Sequence, residues 1–224
     1  MDVNIKKSFI FFKRFLKKWE EDRGHVYSYF DLFEFFFPTE EYNSESIKST
    51  WSQFIKSKKK DDKTDIYIHI PFCFQKCSYC ITGSRKLKNN NELNNYIDYL
   101  IKDFFYFKKT FSNVKFTNLY IGGGTPSILS EKLLSKLLSK LFFCFSFEEN
   151  KERTCELNPI NSSFNKLLLL KKNGFNRVSF GVQSFDQKVL NINNRGYQTN
   201  KSVKKAIVDT RKAGFENINI DLIN

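Results

Sequence analysis

The sequence predicts an α/β fold built on a parallel sheet or barrel, and two patterns carry that expectation. From Ile66 onward, short runs rich in Ile, Val, Phe and Tyr alternate with longer stretches whose apolar residues recur every three to four positions. Glycines and polar groups of unusual type then gather just after the short runs, where parallel folds of this kind place their chemistry.

The first strand is expected over Ile66–Ile70, followed by a helix over 91–109 with Leu93, Ile97, Leu100 and Phe104 on one face. A second strand, 118–121, leads into a helix that Ser130 caps and that carries Leu133, Leu134, Leu137, Leu138 and Leu141. Residues 154–157 form the third strand, and the helix 164–172 after it closes at Gly174. Strands over 177–181 and 217–223 complete the series, joined by a helix over 202–213 that ends before Gly214.

Upstream, Ile5, Phe9, Phe12, Leu16 and Trp19 fall at helical spacing, and Ile47, Trp51 and Phe54 suggest a further short helix. Residues 1–62 therefore read as a helical extension, and residues 63–224 as the core domain. Lysines interrupt the apolar residues of the first twenty positions, and no stretch is of transmembrane length.

Hydrophobic residues make up 41% of the 224 and aromatic residues 17%, enough to bury a substantial core. The formal charge of +13 is spread over scattered lysines, and the densest run, residues 56–63, is broken by Asp61 and Asp62. That distribution does not resemble the clustered basic, aromatic-lined groove of a nucleic-acid binder. Five cysteines, three of them clustered, fit a reducing cytoplasm better than a disulfide framework.

The clustered cysteines stand as Cys73-Phe-Gln-Lys-Cys77-Ser-Tyr-Cys80, on the loop after the first strand. Three thiolates on a [4Fe-4S] cluster leave one iron open to an outside ligand, which a catalytic cluster needs. The alternatives are a structural zinc ion held by the same cysteines and His69, or simply three buried thiols. Gly122-Gly123-Gly124-Thr125-Pro126, between a strand and a helix, allows backbone to approach a polar ligand but has neither dinucleotide nor P-loop spacing. Glu156, Gln183, Arg195 and Asp221 suit the mouth of one barrel, where they would line a site for a charged small molecule. Cys144 and Cys155 sit in apolar surroundings and read as small core residues, with His69 in a supporting role.

Taken in order, Tyr67-Ile-His-Ile-Pro-Phe-Cys73 with Cys77 and Cys80, Ile121-Gly-Gly-Gly-Thr-Pro-Ser127, Glu156-Leu-Asn-Pro159, Asn176-Arg-Val-Ser-Phe-Gly-Val-Gln-Ser-Phe185, Asn194-Arg195 and Asn219-Ile-Asp-Leu222 resemble the radical S-adenosylmethionine family. Within it they are most similar to the group of oxygen-independent coproporphyrinogen III oxidase and HemW, over about residues 64–224. The resemblance implies a (β/α)6 radical SAM barrel with five of its six units present, the last cut at the chain's end, and a short helical N-terminal extension. An open barrel of that kind is expected to be poorly soluble or inactive alone.

The resemblance further implies a [4Fe-4S] cluster on Cys73, Cys77 and Cys80, whose open iron takes the amino and carboxylate groups of S-adenosylmethionine. Tyr67, Tyr79, Gly123, Gly124, Thr125, Glu156, Gln183, Arg195 and Asp221 would surround that cofactor. Its reductive cleavage yields a 5′-deoxyadenosyl radical, with flavodoxin or ferredoxin as reductant and a tetrapyrrole substrate or haem as partner. Thr82 stands where the oxidases of the group tend to have a fourth cysteine, and Ile81 where HemW-like chains commonly have Asp. The alternatives to an oxidase are therefore a haem chaperone of the HemW type and an inactive truncated product.

Overall fold

A computed structural model describes residues 44–59 and 62–223. The helix expected over the first twenty positions lies outside the described residues. Residues Ser46–Asn224 form one compact unit.

The series of strands and helices follows the sequence pattern closely. Helix α1 (Ser44–Ser57) carries Ile47, Trp51 and Phe54, and it precedes strand β1 (Ile66–Ile70). Its Ile55 packs against the core, and the Trp51 ring meets Phe111 edge-on with centroids 5.5 Å apart. Two short strands after β1, β2 (Phe72–Cys73) and β3 (Arg85–Lys86), pair in parallel across the cysteine loop.

Helix α2 (Asn90–Lys108) buries Leu93, Ile97, Ile101 and Phe104, one stripe at spacings of three and four, and the Asn89 side chain caps its first turn. Strands β4 (Lys115–Phe116) and β5 (Leu119–Gly123) come next, then a 3-10 turn at Pro126–Ile128. Ser130 caps helix α3 (Glu131–Cys144), which buries the leucines at 133, 134, 137, 138 and 141. The chain continues through β6 (Ser146–Phe147), β7 (Arg153–Leu157), helix α4 (Phe164–Lys172), β8 (Arg177–Gln183), the short helix α5 (Gln187–Ile192), helix α6 (Asn200–Lys212) and β9 (Asn217–Leu222).

The main sheet has five strands in the order β1-β5-β7-β8-β9, and every neighbouring pair is parallel. Each strand thus lies beside the next sheet strand along the chain, without the reversal of a doubly wound sheet. That winding is the one expected of a partial barrel, and among the described residues β1 and β9 do not pair with each other.

Strand periodicity separates the two faces of the sheet. Ile68, Ile70, Ile121, Cys155, Leu157, Val178 and Phe180 are buried on the face that packs against the helices. Registered along the other face are His69 with Gly122, Glu156 with Ser179, Ser179 with Asn219 and Gly181 with Asp221. A polar row therefore crosses the sheet near its carboxyl edge, backed by an apolar core that holds it in place. At the other edge, β4 pairs with β6, beside a cluster of Phe104, Phe116, Phe145 and Phe147 rings.

Candidate cofactor site

The cysteine loop leaves the sheet at Pro71 and returns at Ser84, tied at its base. Arg85 N donates to Pro71 O and Leu87 N to Cys73 O, both at 2.8 Å. Within the loop Cys80 N donates to Cys77 O at 3.2 Å, a tight turn that brings the second and third cysteines round.

Each sulfur meets a different polar group. Thr125 Oγ1 donates to Cys73 Sγ at 3.3 Å, Arg195 Nη1 stands 3.5 Å from Cys77 Sγ, and Thr82 Oγ1 and Ser84 Oγ lie 3.1 Å from Cys80 Sγ. Burial pushes the Cys73 thiol up. At Cys80 burial acts the same way, but the hydrogen bonds from Ser84 and Thr82 outweigh it and hold the thiol below its ordinary value.

All three cysteines line a cavity of about 490 Å3. The same walls include Tyr79, Gly123, Gly124, Thr125, Glu156, Gln183, Arg195 and Asp221, so eight of the nine residues expected around the cofactor meet there. Tyr67 stands apart. It lies lower on β1, its hydroxyl 2.9 Å from His69 Nδ1 and its ring beside Tyr120, and it does not line the cavity.

The glycines come close to the cysteine loop. A Cβ on Gly124 would sit 2.8 Å from Phe72 O and 3.0 Å from Cys73 Sγ. Gly123 has φ +109°, a conformation that favours glycine, and a Cβ there would strike the His69 ring. Its N–H donates at 3.0 Å to Glu156 Oε2, whose other oxygen accepts from Tyr120 Oη at 2.6 Å. Asp221 accepts from Ser179 Oγ at 3.0 Å and from Asn219 Nδ2 at 2.6 Å. Gln183 ends β8 with φ +69°, at a register shift against β9, and its carbonyl accepts from Ile223 N.

Gln75, Tyr197 and Ile223, which the sequence does not mark, line the cavity beside Asn158, Ile81 and Thr82. Asn158 Nδ2 donates to Tyr197 Oη at 3.2 Å at the rim. Tyr197 follows no strand and belongs to none of the motifs, so nothing in the pattern marked it. Ser179, Asn219 and Tyr120 support the wall from behind: Ser179 is registered with both Glu156 and Asn219, and Tyr120 is tied to Glu156 by its hydrogen bond.

The family model of the Radical SAM superfamily matches residues 67–224. The chain belongs to the radical SAM superfamily. Its radical SAM region is 35% identical over 158 residues to the heme chaperone HemW of Buchnera aphidicola, covering 70% of this chain and 42% of that protein. To the oxygen-independent coproporphyrinogen III oxidase of Escherichia coli it is 32% identical, covering 70% of this chain and 34% of the relative. The solved structure of coproporphyrinogen III oxidase from Escherichia coli, described as a radical SAM enzyme, superposes with a TM-score of 0.73 at 27% identity, over 82% of this chain and 41% of that one. The chain thus spans about a third to two fifths of the length of these relatives.

The cofactors of the radical SAM family are a [4Fe-4S] cluster and S-adenosylmethionine, and the cavity suits both. Among the described residues no three His, Cys, Asp or Glu side chains stand close enough to share a single metal ion. Two polar atoms in the cavity wall, Tyr79 Oη and Arg195 Nε, are buried without a hydrogen-bond partner. A buried, unpaired guanidinium N–H is costly unless an acceptor meets it, and a carboxylate would. Burial also pushes the Tyr79 phenol up, so it is a protonated donor at neutral pH.

Proposed function

We propose that this chain is the cofactor-binding part of a radical SAM oxidoreductase of porphyrin or haem metabolism, with Cys73, Cys77 and Cys80 as cluster ligands. The observation that carries the reading is the meeting of three cysteine sulfurs with Glu156, Gln183, Arg195 and Asp221 around one cavity. In this reading residues 63–224 are the radical SAM core, residues 1–62 a helical extension, and the place of work the cytoplasm.

When bound, the cluster supplies the electron that cleaves S-adenosylmethionine to methionine and a 5′-deoxyadenosyl radical. The chain's own residues bind and orient. Arg195, with its free Nε, suits the carboxylate of the methionine moiety. The Glu156 carboxylate, held by Tyr120 and the Gly123 N–H, suits an ammonium or hydroxyl. Asp221, held by Ser179 and Asn219, and the amide of Gln183 suit the ribose hydroxyls. Gly123 and Gly124 let the cofactor approach the backbone, and Thr125 ties that segment to the Cys73 sulfur.

The substrate in this reading is coproporphyrinogen III, whose propionates are decarboxylated, and the reductant is a flavodoxin or ferredoxin. Thr82, where the oxidases tend to have a further cysteine, favours a second reading, a haem-binding chaperone like the HemW relatives. Anaerobic reconstitution, with iron and sulfide analysis and electron paramagnetic resonance, tests the shared part. About four irons per chain and a signal perturbed by S-adenosylmethionine support it, and a zinc-loaded or metal-free folded protein refutes it. Release of 5′-deoxyadenosine dependent on coproporphyrinogen III then supports the oxidase, whereas a Soret band on haem titration without product supports the chaperone.

A further inference from the structure

Arg195 is delivered to the cavity by a short turn. Helix α5 ends at Ile192, Asn194 takes a left-handed φ of +56°, and the Arg195 N–H closes on Leu190 O at 2.8 Å. Asn is among the few non-glycine residues that adopt this conformation readily.

The Arg195 side chain is then held from behind. It is 7% exposed, its Nη1 faces Cys77 Sγ, and its Nη2 donates both to Gly181 O and, at 2.9 Å, to Oε1 of Gln198. Gln198 is 0% exposed and does not line the cavity, and its Nε2 donates at 2.6 Å to Val182 O. Methionine or leucine would fill nearly the same volume without the cost of burying an amide. The polar atoms of Gln198 therefore act through what they bind, a strand carbonyl at one end and the guanidinium at the other.

We propose that Gln198 is a positioning residue, which fixes Arg195 against Cys77 and so sets the reduction potential of the cluster. The inference rests on the cluster reading above. A guanidinium is a rigid plane, so two acceptors on Nη2 settle its rotation. Nη1 is left pointing at the sulfur. A donor and positive charge beside a ligand sulfur stabilise the reduced cluster, which is the more negative state, and raise its potential. Without Gln198, Nη2 keeps only the Gly181 carbonyl, and the plane is free to swing away from Cys77.

The test is a redox titration, followed by electron paramagnetic resonance, of anaerobically reconstituted wild type, Gln198→Met, Arg195→Met and the double variant. Gln198→Met is expected to disfavour reduction about ten-fold, a fall of about 59 mV for one electron. Arg195→Met is expected to lower the potential at least as far, with no further change in the double variant. Should the buried Met prevent folding, judged by circular dichroism, Gln198→Asn carries the same expectation, because its amide is one methylene too short to reach both partners. A folded Gln198 variant with an unmoved potential, or a shift that persists in the Arg195→Met background, overturns the inference while leaving the cluster reading intact. A wild type that takes up no cluster removes both.

Discussion

The phenol of Tyr120 donates a 2.6 Å hydrogen bond to Oε1 of Glu156, from one strand of the sheet to the next. The second carboxylate oxygen is held by the Gly123 N–H, so the side chain is fixed at both oxygens before any ligand meets it. Tyr120 itself does not line the cavity and reaches it through Glu156.

Tyr120→Phe should therefore weaken binding without unfolding the chain. A hydrogen bond to a charged group contributes about 1.5 kcal/mol or more, so the affinity for S-adenosylmethionine is expected to fall roughly ten-fold. Isothermal titration on reconstituted protein measures this, and an unchanged dissociation constant counts against the role given to Glu156.

Gly124→Ala tests how tightly the glycine segment grips the cysteine loop. The new methyl group meets a backbone carbonyl at 2.8 Å and the Cys73 sulfur at 3.0 Å, neither of which can turn aside. Overpacking of this kind costs about 1–3 kcal/mol. Iron per chain is expected to drop well below the wild-type value, together with the melting temperature. Full iron loading with unchanged melting would show that the loop sits elsewhere.

Gln183→Gly separates stability from binding. A non-glycine residue at φ +69° carries on the order of 1 kcal/mol of strain, which glycine does not. The variant should melt no lower than wild type and yet bind S-adenosylmethionine several-fold more weakly. The opposite pattern, lower stability with intact binding, would make Gln183 a structural residue.

The two remaining cysteines provide a control. Cys155 is 1% exposed on the apolar face of the sheet, and Cys144 is buried at the end of α3. Cys155→Ala should keep its iron and lose about 1 kcal/mol of stability, whereas Cys77→Ala should lose most of the iron. Iron analysis that reverses this order would mean that the ligands have been misassigned.

Much of the fold was legible because its signals are local. Leu133, Leu137 and Leu141 mark one helix face by spacing alone, Ser130 marks its start, and Gly174 and Gly214 follow helix ends with φ of +78° and +89°. The two-residue strands that tie the cysteine loop, Phe72–Cys73 and Arg85–Lys86, were not legible, since two residues hold no period and their pairing depends on contacts across the loop. The short helix Gln187–Ile192 escaped for the same reason.

The site divides in a similar way. Cysteines, glycines and charged groups after strands stand out by residue type, and the cavity gathers them. Tyr67 opens the cysteine motif, and the alternation of β1 puts it one step further from the carboxyl edge than His69. Gln198, Ser179 and Asn219 are ordinary polar residues whose part emerges only from register and burial.

The polar row crossing the sheet is anchored to strands, with the helices stacked behind it. Residues 156, 179, 219 and 221 are spaced by hydrogen-bonded neighbours and not by the lengths of the segments that join them. The connections at the opposite rim, near Asn150 and Glu216, can accordingly gain or lose residues while the ligand-facing groups keep their separations. Evolution or an engineer can rebuild the outer shell of such a protein piece by piece, as one re-clads a building whose frame stays standing.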